Sequence, residues 1–91
     1  TAAFPHDHKP SYDRLSTING KKYPAMMETF WAGYTGLTYL PSTVAPIGLT
    51  KAGLPVGVQI VAPQYGDRTS LHFAGLLERH YRAFQPPPGF E

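Results

Sequence analysis

The chain has 91 residues, no cysteine and a formal net charge of +2. Without cysteine it forms neither disulfides nor thiolate metal sites, and so small a positive charge gives no indication of a nucleic-acid or membrane partner. No apolar run approaches the ~20 residues that a membrane helix needs, and the N-terminus lacks the pattern of a signal peptide. We therefore expect one domain at most, in the cytoplasm.

The beginning of the chain predicts an irregular arm followed by a hairpin. Residues 1–12 contain two prolines and no hydrophobic periodicity, which favours the arm. Asn19 and Gly20 both tolerate positive φ, so this pair is typical of a tight two-residue turn. We expect strands at about 15–18 and 21–23 on either side of it.

A helix is predicted after the hairpin. Pro24 suits its first turn, where the missing N–H costs little, and Pro41 would end it. Apolar residues then recur mostly at spacings of three and four, which indicates one helical stripe that we expect to pack in a core. The stripe consists of Met27, Phe30, Trp31, Tyr34 and Leu37.

Two strands are predicted in the middle of the chain. The first, at about 42–50, contains Pro46, which has no N–H for a ladder and so favours a bulge. The second lies within 54–63, where Gln59 is the one polar residue of an otherwise apolar stretch, as in strands covered on both faces. A chain this short has few residues to cover both faces of such a strand, so we interpret this strand as part of a larger domain.

The last helix is expected within 66–84, followed by a stiff, proline-rich tail at 85–91. Asp67 is expected to cap the helix through its carboxylate, and Glu78 is spaced to pair with Arg82. The predicted buried stripe is Phe73, Ala74, Leu77, Tyr81 and Phe84. Strands mixed with helices in this order predict an α/β layered fold.

Chemistry-bearing motifs are few in this sequence. No serine lies in a G-x-S-x-G elbow, and Ser70, in the first turn of the last helix, is interpreted as a capping residue. His6 and His8, which flank Asp7, leave a small metal-binding module as an alternative to a solvated arm. The carboxylates are scattered. We expect no catalytic residue, no bound metal and no cofactor in this chain.

An ordered set of short motifs resembles the C-terminal region of the amidase signature family. It comprises an N-G turn, a tryptophan in an aromatic helix, P-x-x-x-x-P-x-G, G-L-P-x-G-x-Q-I, and an Asp before a final helix. The matching positions are Asn19, Gly20, Trp31, Pro41, Pro46, Gly48, Gly53, Leu54, Pro55, Gly57, Gln59, Ile60, Asp67, Leu71 and Glu78. The resemblance runs along nearly the whole chain.

The resemblance implies amide hydrolysis by a Ser–Ser–Lys triad that is upstream of these motifs. No catalytic residue is therefore carried over, and we expect the chain alone to be inactive. The implied fold is the C-terminal piece of an α/β/α sandwich with a mixed sheet, in which residues 56–61 form an inner strand. Gly57 would then let another backbone approach, and Gln59, if buried, would need polar partners.

The resemblance also places the segment that matches residues 40–46 near the substrate pocket. Thr43, Val44 and Ile47 are therefore candidates for its wall, with simple packing under the sheet as an equal alternative. The expected partners are the rest of the amidase domain and a small amide substrate. A non-catalytic interaction module of amidase ancestry, which self-associates through its sheet edges, is the alternative function.

Overall fold

The computed structural model describes residues 10–90, which divide into two compact units, residues 10–39 and residues 40–90. The first unit contains a 3-10 turn and a hairpin, then a second 3-10 turn and a helix; the second contains two strands and a helix. This confirms the α/β class. His6, Asp7 and His8 lie outside the described residues.

The helices and strands lie close to their expected positions. In the first unit, strands β1 and β2 precede helix α1; in the second, β3 and β4 precede α2. The strands of each unit form a separate antiparallel pair, where a mixed sheet was expected. The bounds are β1 Leu15–Ile18, β2 Lys21–Pro24, α1 Phe30–Leu37, β3 Ser42–Leu49, β4 Pro55–Val61 and α2 Asp67–His80.

The predicted hairpin turn is confirmed. Asn19 and Gly20 have φ of 50° and 77°, and Ile18 pairs with Lys21 across them. Both central residues of this two-residue loop therefore have positive φ, as a turn that matches the twist of the flanking strands requires.

The first helix starts later than predicted. Pro24, with ψ of 130°, is extended and ends β2, and the next amide, of Ala25, donates to the carbonyl of Arg14 at 3.0 Å. A 3-10 turn over Ala25–Thr29 then leads into α1. The helix ends before Pro41, because Tyr39 takes a φ of 54°, the left-handed conformation that often follows a last turn.

The aromatic stripe of α1 is not in a core, so that prediction is wrong for the described chain. Trp31 is 68% exposed, and Phe30 and Tyr34 are exposed as well. The rings contact one another, with 5.2 Å between the centroids of Phe30 and Trp31 and 6.4 Å between those of Trp31 and Tyr34. The buried residues of this unit are instead small: Ser16, Ala25 and Thr35.

The β3–β4 ladder explains how a proline fits into β3. The amide of Ala62 donates to the carbonyl of Pro41 at 3.1 Å just beyond the ladder. Hydrogen-bonded pairs alternate along antiparallel strands, so Pro46, opposite Gly57, occupies a position that needs no bond to β4. The register then shifts between Pro46 and Gly48, which confirms the predicted bulge.

Helix α2 packs against one face of the β3–β4 sheet. Ala45 and Ser70 are buried in this layer, at 5% and 2% exposure. On the opposite face Val44 is 72% exposed and Val61 is 43% exposed. The described residues therefore cover only one of the two faces that the apolar β4 was expected to bury.

The start of α2 differs from the prediction. Gly66, which has no side chain, holds the cap position, and Asp67 is the first helical residue, so its expected role as the cap is wrong. The amide of Gly66 donates to the carbonyl of Pro63 at 2.8 Å. A Cβ at position 66 would lie 2.7 Å from that carbonyl oxygen, so only glycine fits this turn without a backbone shift.

The inner stripe of α2 is narrower than predicted. Ala74 and Leu77 are half-buried, but Phe73 is exposed, and Tyr81 and Phe84 lie exposed beyond the end of the helix. Arg82, expected to pair with Glu78, donates from Nη2 to the side-chain oxygen of Gln85 at 3.3 Å. Tyr81 and Phe84 are absent from the stripe because α2 ends at His80.

Candidate functional site

The predicted pocket-wall residues all lie on β3, and the structure separates them. Thr43 and Ile47 are half-buried on the side of α2, whereas Val44 is exposed on the opposite face. Successive side chains of a strand alternate between faces, and the bulge at Pro46 and Gly48 sets the position of Ile47. Thr43, Val44 and Ile47 therefore form no single wall in this chain.

Thr43 makes a partly buried polar contact with α2. Its hydroxyl donates to Ser70 Oγ at 2.9 Å, and the Ser70 hydroxyl donates to the carbonyl of Asp67, also at 2.9 Å. A polar group inside a packed layer costs free energy unless it is hydrogen-bonded. These bonds satisfy both hydroxyls and tie the first turn of α2 to β3. Ser70 is thus a packing residue and not the cap that its position suggested.

Ile47 lines an open apolar depression on the α2 side of the sheet. Its volume is about 470 Å³, within the range of small-molecule sites. Residues of both strands, of α2 and of the segment just after α2 line it: Ile47, Val58, Gln59, Ile60, Phe73, Leu77 and Tyr81. Within the described chain it is a shallow apolar surface with few polar groups.

Val44 stands on the other face beside a glycine. A Cβ added at Gly57 would lie 3.5 Å from Val44 Cγ1 and 3.4 Å from the carbonyl oxygen of Ala45. The absent side chain therefore leaves the flank of Val44 open. Gln59, on the same face, is exposed and donates from Nε2 to Ser42 Oγ at 3.2 Å, so Ser42 is one partner of the amide that was expected to need several.

The other motif residues mark where elements begin, turn or end. Between the strands, the amide of Gly53 donates to the carbonyl of Thr50 at 2.9 Å, and that of Leu54 donates to Thr50 Oγ1 at 3.1 Å. The remaining motif residues lie at the hairpin turn, in α1, at the bulge, and at the starts of β4 and α2: Asn19, Gly20, Trp31, Pro46, Gly48, Pro55 and Asp67. The resemblance therefore rests largely on turn geometry.

Sequence reasoning missed the role of Ser70. Ser70 lies four residues before Ala74 and seven before Leu77 on α2, which is the spacing of one helix face. A serine on the apolar stripe of an amphipathic helix is the signal that would have indicated a buried hydroxyl with a partner across the layer. In residues 10–90 no group of three or more His, Asp or Glu side chains is placed to hold a metal ion.

No known protein-family profile matches the chain. Individual proteins do: fatty-acid amide hydrolase 2-A of Danio rerio is 40% identical over 79 residues, 84% of this chain. Fatty-acid amide hydrolase 2 of Homo sapiens is 33% identical over 82 residues, 87% of this chain. Both are amidase signature proteins. The chain belongs to the amidase signature family.

A second kind of amidase signature protein is also similar. A glutamyl-tRNA(Gln) amidotransferase protein of Rhodospirillum rubrum is 39% identical over 56 residues, 62% of this chain and 11% of its own length. The match to each fatty-acid amide hydrolase spans 15% of that protein's length. Among residues 10–90, neither α1 nor α2 has the length and apolar character that crossing a bilayer requires.

Proposed function

We propose that this chain is the C-terminal part of an amidase that hydrolyses the C–N bond of a carboxamide or amide. The observation that carries the proposal is the similarity to two fatty-acid amide hydrolases along 84% and 87% of the chain. The names of these relatives favour an amide with a fatty acyl chain as the substrate. A cytoplasmic location belongs to the same proposal.

In the proposed enzyme the chain contributes structure and not the reacting groups. The Ser–Ser–Lys triad that the family resemblance implies belongs to the preceding part of the full-length protein. Acyl transfer to a serine needs a nucleophile, a base and an oxyanion hole within hydrogen-bond reach of one another. The described residues supply a two-stranded sheet, its supporting helix, and the candidate wall residues Thr43, Val44 and Ile47.

The test is an assay of the full-length protein on a series of amides. Primary amides of acids from acetate to oleate are incubated with the protein, and released ammonia and acid are quantified. We expect turnover that increases with acyl length, and no turnover by the 91-residue chain alone. Substantial turnover by the isolated chain, or none by the full-length protein on any of these amides, refutes the proposal.

A second candidate is a non-catalytic interaction module of amidase ancestry. The exposed aromatic face of α1 favours it, because large apolar patches on soluble proteins often mark contact surfaces. Sedimentation equilibrium of the isolated chain separates the two candidates. Stable dimers that form at micromolar concentration support the module, and a monomer over that range removes it.

A further inference from the structure

We propose that Asn19 is a modification site, at which the side-chain amide is hydrolysed without an enzyme to aspartate and isoaspartate. Ring closure by the following backbone nitrogen, that of Gly20, is the first chemical step, and opening of the β1–β2 hairpin is the event that permits it. Asn19 is the only asparagine of the chain. The inference is independent of the proposed function, because it depends on the hairpin alone.

The tip of the hairpin is open to water. Asn19 and Gly20 are both exposed, and a Cβ added at Gly20 would meet nothing within 4 Å. Within residues 10–90, no hydrogen bond holds the Asn19 side chain. A nucleophile can therefore reach the amide carbon of Asn19, and no neighbouring group crowds the nitrogen of Gly20.

The reaction needs water and no other reagent. The backbone nitrogen of Gly20 adds to Cγ of Asn19, so that an N–Cγ bond forms and the bond from Cγ to Nδ2 breaks. The amide proton of Gly20 leaves with Nδ2, which departs as ammonia, and a five-membered cyclic imide remains. A water molecule then adds to one of the two imide carbonyls and reopens the ring. Attack at the side-chain carbonyl gives aspartate, and attack at the backbone carbonyl gives isoaspartate.

The closed turn holds the two reacting groups apart. Ring closure requires the nitrogen of Gly20 to lie on the same side of the Cα–C bond of Asn19 as Cβ does. Asn19 has a φ of 50°, the left-handed conformation, whose typical ψ of about 47° directs the following nitrogen away from Cβ. Rotation about the Cα–C bond breaks the turn, so the Ile18–Lys21 pair must open before the ring can form.

The hairpin is short enough for this opening to occur in the folded protein. Each strand has four residues, all of them described by the structure, and Ser16 alone among them is buried. A two-stranded hairpin of this size has marginal stability on its own, and such segments open at far lower free energy than packed helices and strands do. Asn19 therefore reacts at the rate of the unfolded chain multiplied by the fraction of time for which the turn is open.

The two products have opposite effects on the turn. Aspartate leaves the backbone at position 19 unchanged, and Asp-Gly is itself typical of this two-residue turn. Isoaspartate adds a methylene to the backbone, so the loop no longer fits between Ile18 and Lys21. Because loop length fixes the register of a hairpin, isoaspartate at position 19 leaves β1 and β2 unpaired.

The experiment follows the full-length protein over weeks at neutral pH and physiological temperature. Trypsin releases the peptide Leu15–Lys21, whose mass reports replacement of the amide by an acid, and chromatography separates its isoaspartate and aspartate forms. We expect steady deamidation at Asn19 in the folded protein, roughly tenfold slower than in the same protein unfolded in urea, because a marginal hairpin is closed for most of the time.

Three variants test the chemistry and the role of the hairpin. Tyr23 is half-buried and pairs with Ser16 across the strands, so Tyr23→Ala is expected to speed deamidation about threefold, the effect of one cross-strand pair on opening. Tyr81→Ala, the matched control, truncates an exposed tyrosine of the other unit and is expected to leave the rate unchanged. Asn19→Gln keeps an amide but requires a larger ring, and is expected to abolish the reaction.

The inference is overturned if Asn19 reacts as fast in the folded protein as in urea, or reacts only in urea. An equal rate in Tyr23→Ala and the parent also overturns it. If Tyr23→Ala does not fold, the comparison of folded and unfolded parent decides the question. In the isoaspartate form, hydrogen exchange along β1 and β2 is expected to be fast, and protection equal to that of the parent contradicts the inference. None of these results depends on amide turnover, so the proposed function is tested separately.

Discussion

The two helices of this chain use their apolar residues in opposite ways. Helix α2 places small and medium side chains against the β3–β4 sheet and buries Ser70, Ala74 and Leu77 wholly or in part. Helix α1 carries larger side chains, yet Trp31 and Phe30 remain exposed, and their rings contact each other and that of Tyr34. The amount of apolar surface on a helix therefore does not decide whether its own chain covers it.

The two helices differ in burial because they differ in the sheet surface that each can pack against. The antiparallel pair β3–β4 has one apolar face wide enough to support α2, and a helix stabilises itself mainly through such tertiary packing. The hairpin β1–β2 is short, and its second strand begins with the charged residues Lys21 and Lys22. On the proposed function, the missing cover for α1 comes from the preceding part of the amidase domain.

The largest expected effect concerns the way α2 begins. Gly66→Ala places a Cβ 2.7 Å from the carbonyl oxygen of Pro63, so the backbone must move, and we expect the free energy of unfolding to fall by about 2–3 kcal/mol. Gly33→Ala in α1 is the matched control, because a Cβ there meets nothing within 4 Å. It is expected to add about 0.5–1 kcal/mol. Urea denaturation of the chain measures both, and equal losses would remove the contrast between the helices.

The next effect compares one leucine from each helix. Leu77→Ala removes a half-buried side chain that α2 presents to the sheet, and we expect a loss of about 2 kcal/mol. Leu37, at the end of α1, is 85% exposed, and its replacement by Ala is expected to cost less than about 0.5 kcal/mol. The denaturation midpoints of the two variants provide the measurement. A larger loss for Leu37→Ala than for Leu77→Ala would show that α1 is packed after all.

A smaller effect on stability is expected from the hydrogen bond between Thr43 and Ser70, which joins β3 to α2. Ser70→Ala leaves the Thr43 hydroxyl without its acceptor, which should lower the free energy of unfolding by about 1 kcal/mol. Thr43→Val should cost a similar amount, and the double variant should cost less than the sum because both changes remove the same bond. Strict additivity in this double-mutant cycle would mean that the hydroxyls do not interact.

Much of the local structure was predictable because single residues impose it. Asn19 and Gly20 determine the hairpin turn, and Pro46 determines the irregularity of β3, since each restricts the backbone whatever surrounds it. The cap of α2 was mispredicted because its position depends on where the preceding turn ends. Tyr65 takes a φ of 64°, and Gly66 completes that turn. Because Gly66 holds the cap position, Asp67 is already the first residue of the helix.

Tertiary features were less predictable. The spacing of Phe30, Trp31 and Tyr34 correctly indicated one helix face, but periodicity does not identify the surface that covers it. The candidate wall residues Thr43, Val44 and Ile47 were grouped by nearness in sequence. Strand alternation places Val44 on the face opposite Thr43 and Ile47, and the length of a bulge is not encoded by its proline alone. The Thr43–Ser70 bond joins residues 27 positions apart, which local patterns do not reveal.

The most direct measurement is hydroxyl-radical footprinting with mass spectrometry, on the isolated chain and on the full-length protein. If the rest of an amidase domain covers what this chain leaves bare, Trp31 and Met27 should be oxidised rapidly in the isolated chain and far more slowly in the full-length protein. Oxidation of Trp31 at the same rate in both proteins would show that no further layer covers α1, and that this chain is not an interior part of a larger amidase domain.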